Sequence, residues 1–167
     1  LQQFFSAEEN RAAAQNALIA QVATSWINLG AQKEFLRLQR ITLQSQEESF
    51  KLMSDSYRLG ASSLLELEQA RTTVATARAA VAQYERSLAQ AQNALNLVVG
   101  SQVPADLEPN NLEEATNYGA IAPAGLSSEI LLNRPDIKAA EHDLMSANAN
   151  IGAARANFFP RITLTAG

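Results

Sequence analysis

The chain contains no cysteine. That removes disulfides, thiolate metal ligands and thiol nucleophiles, and it leaves the redox compartment open. It holds one histidine, His142. No HExxH, glycine-rich phosphate loop or Ser/His/Asp grouping is present, so no catalytic residue, cofactor site or metal site is expected. Basic excess is lacking too. The net charge of -4 gives no basic stripe of the kind that grips nucleic acid. No apolar run reaches about 18 residues, the length of a membrane-spanning helix. Proline is absent before Pro104, and the first hundred residues hold only Gly30, Gly60 and Gly100. Neither a signal peptide nor a lipidation motif appears, and the chain opens on Leu1, so it reads as a segment or processed product.

What is present is a seven-residue beat. In a first arm it runs through Val22, Leu29, Leu36, Leu43, Phe50 and Tyr57. In a second arm it runs through Leu67, Val74, Val81, Leu88 and Leu95, and in a third stretch through Ile137, Leu144, Ile151 and Phe158. An apolar residue at every seventh position keeps one seam turned toward a partner helix, which predicts left-handed coiled-coil packing. Alanine supplies roughly two-fifths of the apolar residues, well above ordinary usage. It recurs three places after the large residue, at Ala70, Ala77 and Ala91, and again at Ala140, Ala147 and Ala154, as suits close helix approach. The first arm places Gln32, Gln39 and Gln46 there instead. Two readings stand for this polar face: it is solvated, or it lines a water-filled space in an assembly.

Between the arms lies Arg58-Leu59-Gly60-Ala61-Ser62-Ser63. Gly60 suits the left-handed position that ends a helix. Ser63 with Glu66 three places on is a capping box that starts the next. Stop beside start is the signature of a helical hairpin, over 1–100 with its tip at 58–63. Over 101–133 prolines and glycines interrupt the pattern, predicting a connector with short elements and a brief helix near Ser127. A third helix, over 134–159, is expected to start at Pro135, with Asp136 meeting the helix dipole, and to end before Pro160. Alternation in Ile162-Thr163-Leu164-Thr165 predicts a strand within 160–167. At 1.5 Å per residue the first arm spans about 84 Å and the second about 55 Å. The third helix, at about 36–39 Å, would cover the overhang. The expected fold is mostly α: a long antiparallel coiled-coil hairpin, a third helix stacked end-on, a short mixed connector and one terminal strand.

Few single residues invite a chemical role. His142, between Glu141 and Asp143, is expected on a solvated surface, because adjacent helical residues do not face one another. Trp26 is expected to pack on the seam or the connector rather than serve as a ligand platform. Gly152 is expected at a close helix approach. The Gly60 turn has two readings, a plain connection and a docking tip far from the body.

The stretch Leu132-Asn133-Arg134-Pro135-Asp136-Ile137-Lys138-Ala139-Ala140-Glu141, followed by Ala149-Asn150-Ile151-Gly152-Ala153-Ala154-Arg155-Ala156-Asn157-Phe158-Phe159-Pro160-Arg161-Ile162, resembles the TolC/OprM family of outer-membrane efflux proteins. Ser56-Tyr57-Arg58-Leu59-Gly60 through Glu66-Leu67-Glu68-Gln69-Ala70 resembles that family's periplasmic hairpin tip. The resemblance covers essentially the whole chain. It implies the periplasmic portion of a trimeric export duct of the bacterial outer membrane. The implied partners are a homotrimer in the full-length protein, a periplasmic adaptor, an inner-membrane efflux pump and, through barrel strands absent here, the outer membrane.

In those terms 1–100 is a tunnel hairpin, 101–133 an equatorial-type connector, 134–159 the helix opening a second structural repeat, and 160–167 the start of a barrel strand. The resemblance implies adaptor docking at Arg58, Leu59, Gly60, Ala61, Ser62 and Ser63. It places Glu66 where some members have an acid that locks the tunnel aperture, although a capping-box acid alone accounts for Glu66. A periplasmic adaptor hairpin and a generic coiled-coil scaffold remain the alternatives.

Overall fold

The computed structural model describes residues 1–116 and 125–160. Helix α1 (Gln2–Arg58) and helix α2 (Leu64–Val99) are followed by a 3-10 turn at Ala105–Leu107 and the short α3 (Leu112–Thr116). A second 3-10 turn at Ser128–Asn133 leads into α4 (Pro135–Ala156). No strand occurs among the described residues, and the strand expected over 161–165 lies outside them. The chain divides into two compact units, Ala20–Ala120 and Leu1–Ile19 with Ile121–Gly167.

The larger unit is the hairpin. Leu29, Leu36, Val74, Ala77, Ala91 and Leu95 are buried. Leu43, Phe50, Leu67, Val81 and Leu88 are half-buried along the same line. Tyr57, expected on the seam, is 42% exposed in the last turn of α1. Gln32, Gln39 and Gln46 are half-buried, so this face is neither open to water nor sealed. They hold the d position of heptads whose a position is Leu29, Leu36 and Leu43. In α2, Leu67 opens the a series and Ala70 the d series.

One flank of this seam is a ladder of e positions. Arg40 meets Glu85 at 2.8 Å, and one heptad tipward Arg78 meets Glu47 at 2.7 Å with the signs exchanged. Both pairs are exposed, so each adds only about 0.2–1 kcal/mol. Their value lies in fixing which residues face each other, as e and g charges do in coiled coils.

In the smaller unit α4 lies antiparallel to the start of α1. Gln2 and Phe5 meet His142, while Ala13, Asn16 and Ala17 share a cleft with Arg134, Pro135 and Asp136. Pro135 starts α4, and Arg134 forks onto Asp136 at 2.6 and 3.0 Å. The buried residues here are small, Ser6 and Ala139, which lets the helices approach closely.

Three expectations fail in this unit. His142 is not on a solvated surface: it is half-buried, with Nδ1 2.8 Å from Gln2 Oε1 and its ring 5.4 Å from that of Phe5. The heptad series of the third stretch is not buried either. Leu144, Ile151 and Phe158 are exposed, as is Ala140, because α4 docks through Pro135, Ala139 and His142. Open space surrounds Gly152, so no close approach occurs there.

Candidate docking tip and connector strap

The tip is built by two interlocking caps. The N–H of Gly60 donates to the Tyr57 carbonyl at 2.9 Å, and that of Ala61 donates to the Ser56 carbonyl at 2.9 Å. This pair of bonds is a Schellman closure, and Gly60 takes the left-handed φ of +74° that it requires. Only Ala61 and Ser62 then separate it from the capping box. The Glu66 N–H donates to Ser63 Oγ at 3.3 Å, while the Ser63 N–H and hydroxyl donate to Glu66 Oε2 at 2.7 and 2.9 Å. The Ser63 backbone N–H, then its hydroxyl, hold the Glu66 carboxyl below the usual carboxylate range. Glu66 is exposed.

On this fixed turn Ser62 is half-buried, its hydroxyl donating to the Met53 carbonyl at 3.4 Å, while its neighbours are exposed. Leu59 is 80% exposed, Leu64 and Leu65 are exposed beside it, and Arg58 pairs with Asp55 at 3.0 Å. Leu64 and Leu65 add apolar surface that the heptad pattern does not single out, because they sit off the seam in the first turn of α2.

A second feature lies toward the other end of the hairpin, where the connector is strapped across both arms. Trp26 Nε1–H donates to the Leu107 carbonyl at 2.9 Å, and the Val103 N–H donates to Asn96 Oδ1 at 2.8 Å. Trp26 packs with Val22, Leu88 and Val103 on the core of Leu29, Ala91 and Leu95. Gly30 allows the connector to touch α1: a Cβ there would stand 2.8 Å from Ala115 Cβ and 2.9 Å from the Asn111 carbonyl oxygen.

Glu108 occupies the centre. It is 8% exposed, receives Lys33 Nζ from α1 at 2.8 Å and Gln92 Nε2 from α2 at 2.6 Å, and precedes the fully buried Pro109. Burial pushes its carboxyl up, but the bonds from Lys33 and Gln92 outweigh it and leave the group below its ordinary value. Lys33 and Gln92 are the next e positions after Arg40 and Glu85. Glu108 therefore supplies the acid that Gln92 does not. Sequence reading missed Glu108 and the role of Gly30; the one usable signal was a lone glycine inside a long helix.

Among the described residues no group of His, Asp or Glu could hold a metal ion. No described helix is long and apolar enough to cross a membrane. The chain matches the outer membrane efflux protein family over residues 1–101 and 126–167. The chain belongs to that family.

Relatives agree with the match. The solvent efflux pump outer membrane protein SrpC of Pseudomonas putida is 48% identical over 99% of this chain and 35% of its own length. The probable outer membrane lipoprotein SilC of Salmonella typhimurium is 44% identical over 99% of this chain and 36% of its own. Among solved structures, CusC superposes with a TM-score of 0.85 at 40% identity, covering 95% of this chain and 37% of that one. The open-state MtrE channel of Neisseria gonorrhoeae superposes with a TM-score of 0.77 at 39% identity, covering 95% and 36%. The chain thus spans about a third of the length of the curated relatives it matches. Membership in a family of outer membrane efflux proteins sets aside the adaptor and scaffold readings.

Proposed function

We propose that this chain forms a periplasmic wall segment of a trimeric outer-membrane efflux duct, and that its hairpin tip docks a periplasmic adaptor working with an inner-membrane pump. One observation carries the docking reading. The turn is held by a Schellman closure and a capping box only two residues apart, yet it presents Leu59 almost fully to solvent. A rigid apolar knob at a helix-hairpin end is suited to fit between helices of a partner, because little order is lost on binding. Arg58, Leu59, Gly60, Ala61, Ser62 and Ser63 form that contact.

Glu66 takes part in aperture closure only if the charge it presents outweighs its role in the cap; the three bonds to Ser63 support the cap. The transported class is small organic molecules, in keeping with the solvent efflux pump for which SrpC is named. A photoreactive residue at Ala61 of the full-length protein tests the docking. An in-cell adduct with a periplasmic adaptor hairpin is expected. Adducts confined to copies of the same chain would refute it.

A further inference from the structure

The ladder on the e flank is balanced rung by rung until its tipward end. Arg40 faces Glu85, Arg78 faces Glu47, and Lys33 faces Gln92 with Glu108 of the connector as the acid. The register that sets 40 against 85 and 47 against 78 next sets Ser54 against Arg71. This rung has a cation and no acid. The Arg71 side chain is 71% exposed and reaches only Glu68 of its own helix, at 3.7 Å and without a hydrogen bond. The hydroxyl of the half-buried Ser54 has no hydrogen bond to another described residue. Beside the rung a cleft of about 540 Å³ opens between the arms, lined by Glu47, Phe50, Arg71, Val74, Ala75 and Arg78. Its floor is apolar, with Val74 buried and Phe50 half-buried. Glu47 is committed to Arg78, which leaves Arg71 as the unmatched charge of the cleft.

Resting on the docking reading above, we infer that this rung is a receptor site for one acidic side chain of the partner seated on the tip. The connector shows the form such an occupant takes. Glu108 lies on the same flank, accepts one donor from each arm and is followed by the fully buried Pro109. Arg71 and Ser54 offer the same pair of donors, one from each arm, and Phe50 and Val74 offer an apolar bed. The occupant is therefore an Asp or Glu with an apolar neighbour, on a segment that lies along the arms. A second copy of this chain fits less well, because its acids near the tip are engaged: Asp55 with Arg58, Glu47 with Arg78 and Glu66 with Ser63. Position also favours the tip-bound partner. Arg71 lies about 10 Å of helix rise beyond Leu64, the first residue of α2. The far end of the flank is already closed by the connector. A guanidinium takes a carboxylate through two parallel bonds, so it fixes orientation as well as adding affinity. Leu59 then supplies the apolar contact, and Arg71 the polar anchor that sets which way the partner lies.

The test places a photoreactive residue at Ala75, exposed at the cleft, in the full-length protein in cells, alongside the Ala61 position used above. Both positions are expected to yield adducts with the same periplasmic adaptor. Peptide mapping of the Ala75 adduct is expected to end on a stretch that contains an Asp or Glu. Arg71→Gln should lower the Ala75 adduct about tenfold, the low end for a hydrogen bond to a charged group, because the site stays partly wet. Arg86→Gln, which removes an exposed cation of the same helix outside the cleft, should leave it unchanged. Adducts at Ala75 with copies of the same chain alone, or none at all, while Ala61 still captures the adaptor, would overturn the inference and leave the docking reading standing. An adaptor adduct at Ala75 indifferent to Arg71→Gln would overturn it as well. No adaptor adduct at either position would remove the docking reading and this inference together.

Discussion

Replacing Glu108 with Gln should loosen the connector without melting the hairpin. The carboxylate accepts a charge-assisted bond from Lys33 and a shorter one from Gln92 while 8% exposed. A hydrogen bond to a charged group contributes about 1.5–3 kcal/mol. The amide retains the geometry for one of these bonds, but it leaves the Lys33 ammonium without its counter-charge. Lys33 is 26% exposed, so water recovers part of the loss. A cost of about 2–3 kcal/mol to local opening of the strap follows. At 1.36 kcal/mol per decade this is roughly 30- to 160-fold faster exchange of amides that the strap protects.

The Val103 N–H, bonded to Asn96, and the Ala115 N–H, bonded to Asn111, report it. Hydrogen exchange of the full-length variant should show this acceleration at the connector while amides of α1 near Leu43 keep their protection. Connector exchange within a few-fold of wild type would refute the strap. Uniform acceleration along α1 and α2 would show that Glu108 supports the hairpin itself.

The strap should also depend on acidity. Glu108 has a folded pKa below the ordinary glutamate value, so its contribution is complete above that ordinary value and is lost as pH falls through the folded one. Connector protection in the wild type should fall in that acid window, and that of Glu108→Gln should not respond to it. Gly60→Val should impair export while arm helicity by circular dichroism stays intact, because Val resists the +74° φ; normal drug resistance at wild-type abundance would refute the tip reading. Ala77→Leu should cost about 1–3 kcal/mol by overpacking a buried seam position and hinder trimer formation; a wild-type-like trimer on native gels would show that Ala77 has room. Gly30→Val should free the connector, since its Cβ alone would meet Asn111 and Ala115 within 3 Å; unchanged exchange at Ala115 would refute the close approach.

Local signals were legible in the sequence. The Gly60 stop, the Ser63–Glu66 start and the Pro135 entry each depend on residues within a few positions of one another, so the sequence carries the whole interaction. Heptad period also foretells that a face wants burial, but not which helix supplies the cover. In the hairpin the sequential neighbour is the partner. In α4 the cover comes from residues 1–19 of α1, and it falls on the Pro135–Ala139–His142 face rather than on Leu144 and Ile151. His142 was misplaced for the same reason: its partners are far off in sequence, at Gln2 and Phe5. Glu108 was invisible because its meaning depends on Lys33 and Gln92 meeting, a distance that no periodicity encodes.

The two oxygens of Glu108 answer to different arms. Oε2 is satisfied by α1 and Oε1 by α2. A chain in which only one arm is present, or in which the arms are paired one heptad out, leaves a buried carboxylate half-bonded, and that is costly. The connector can therefore settle only after the hairpin has closed in the right alignment. The connector thus reads the alignment of the two arms: its buried acid is satisfied in one pairing and left short of a partner in its neighbours.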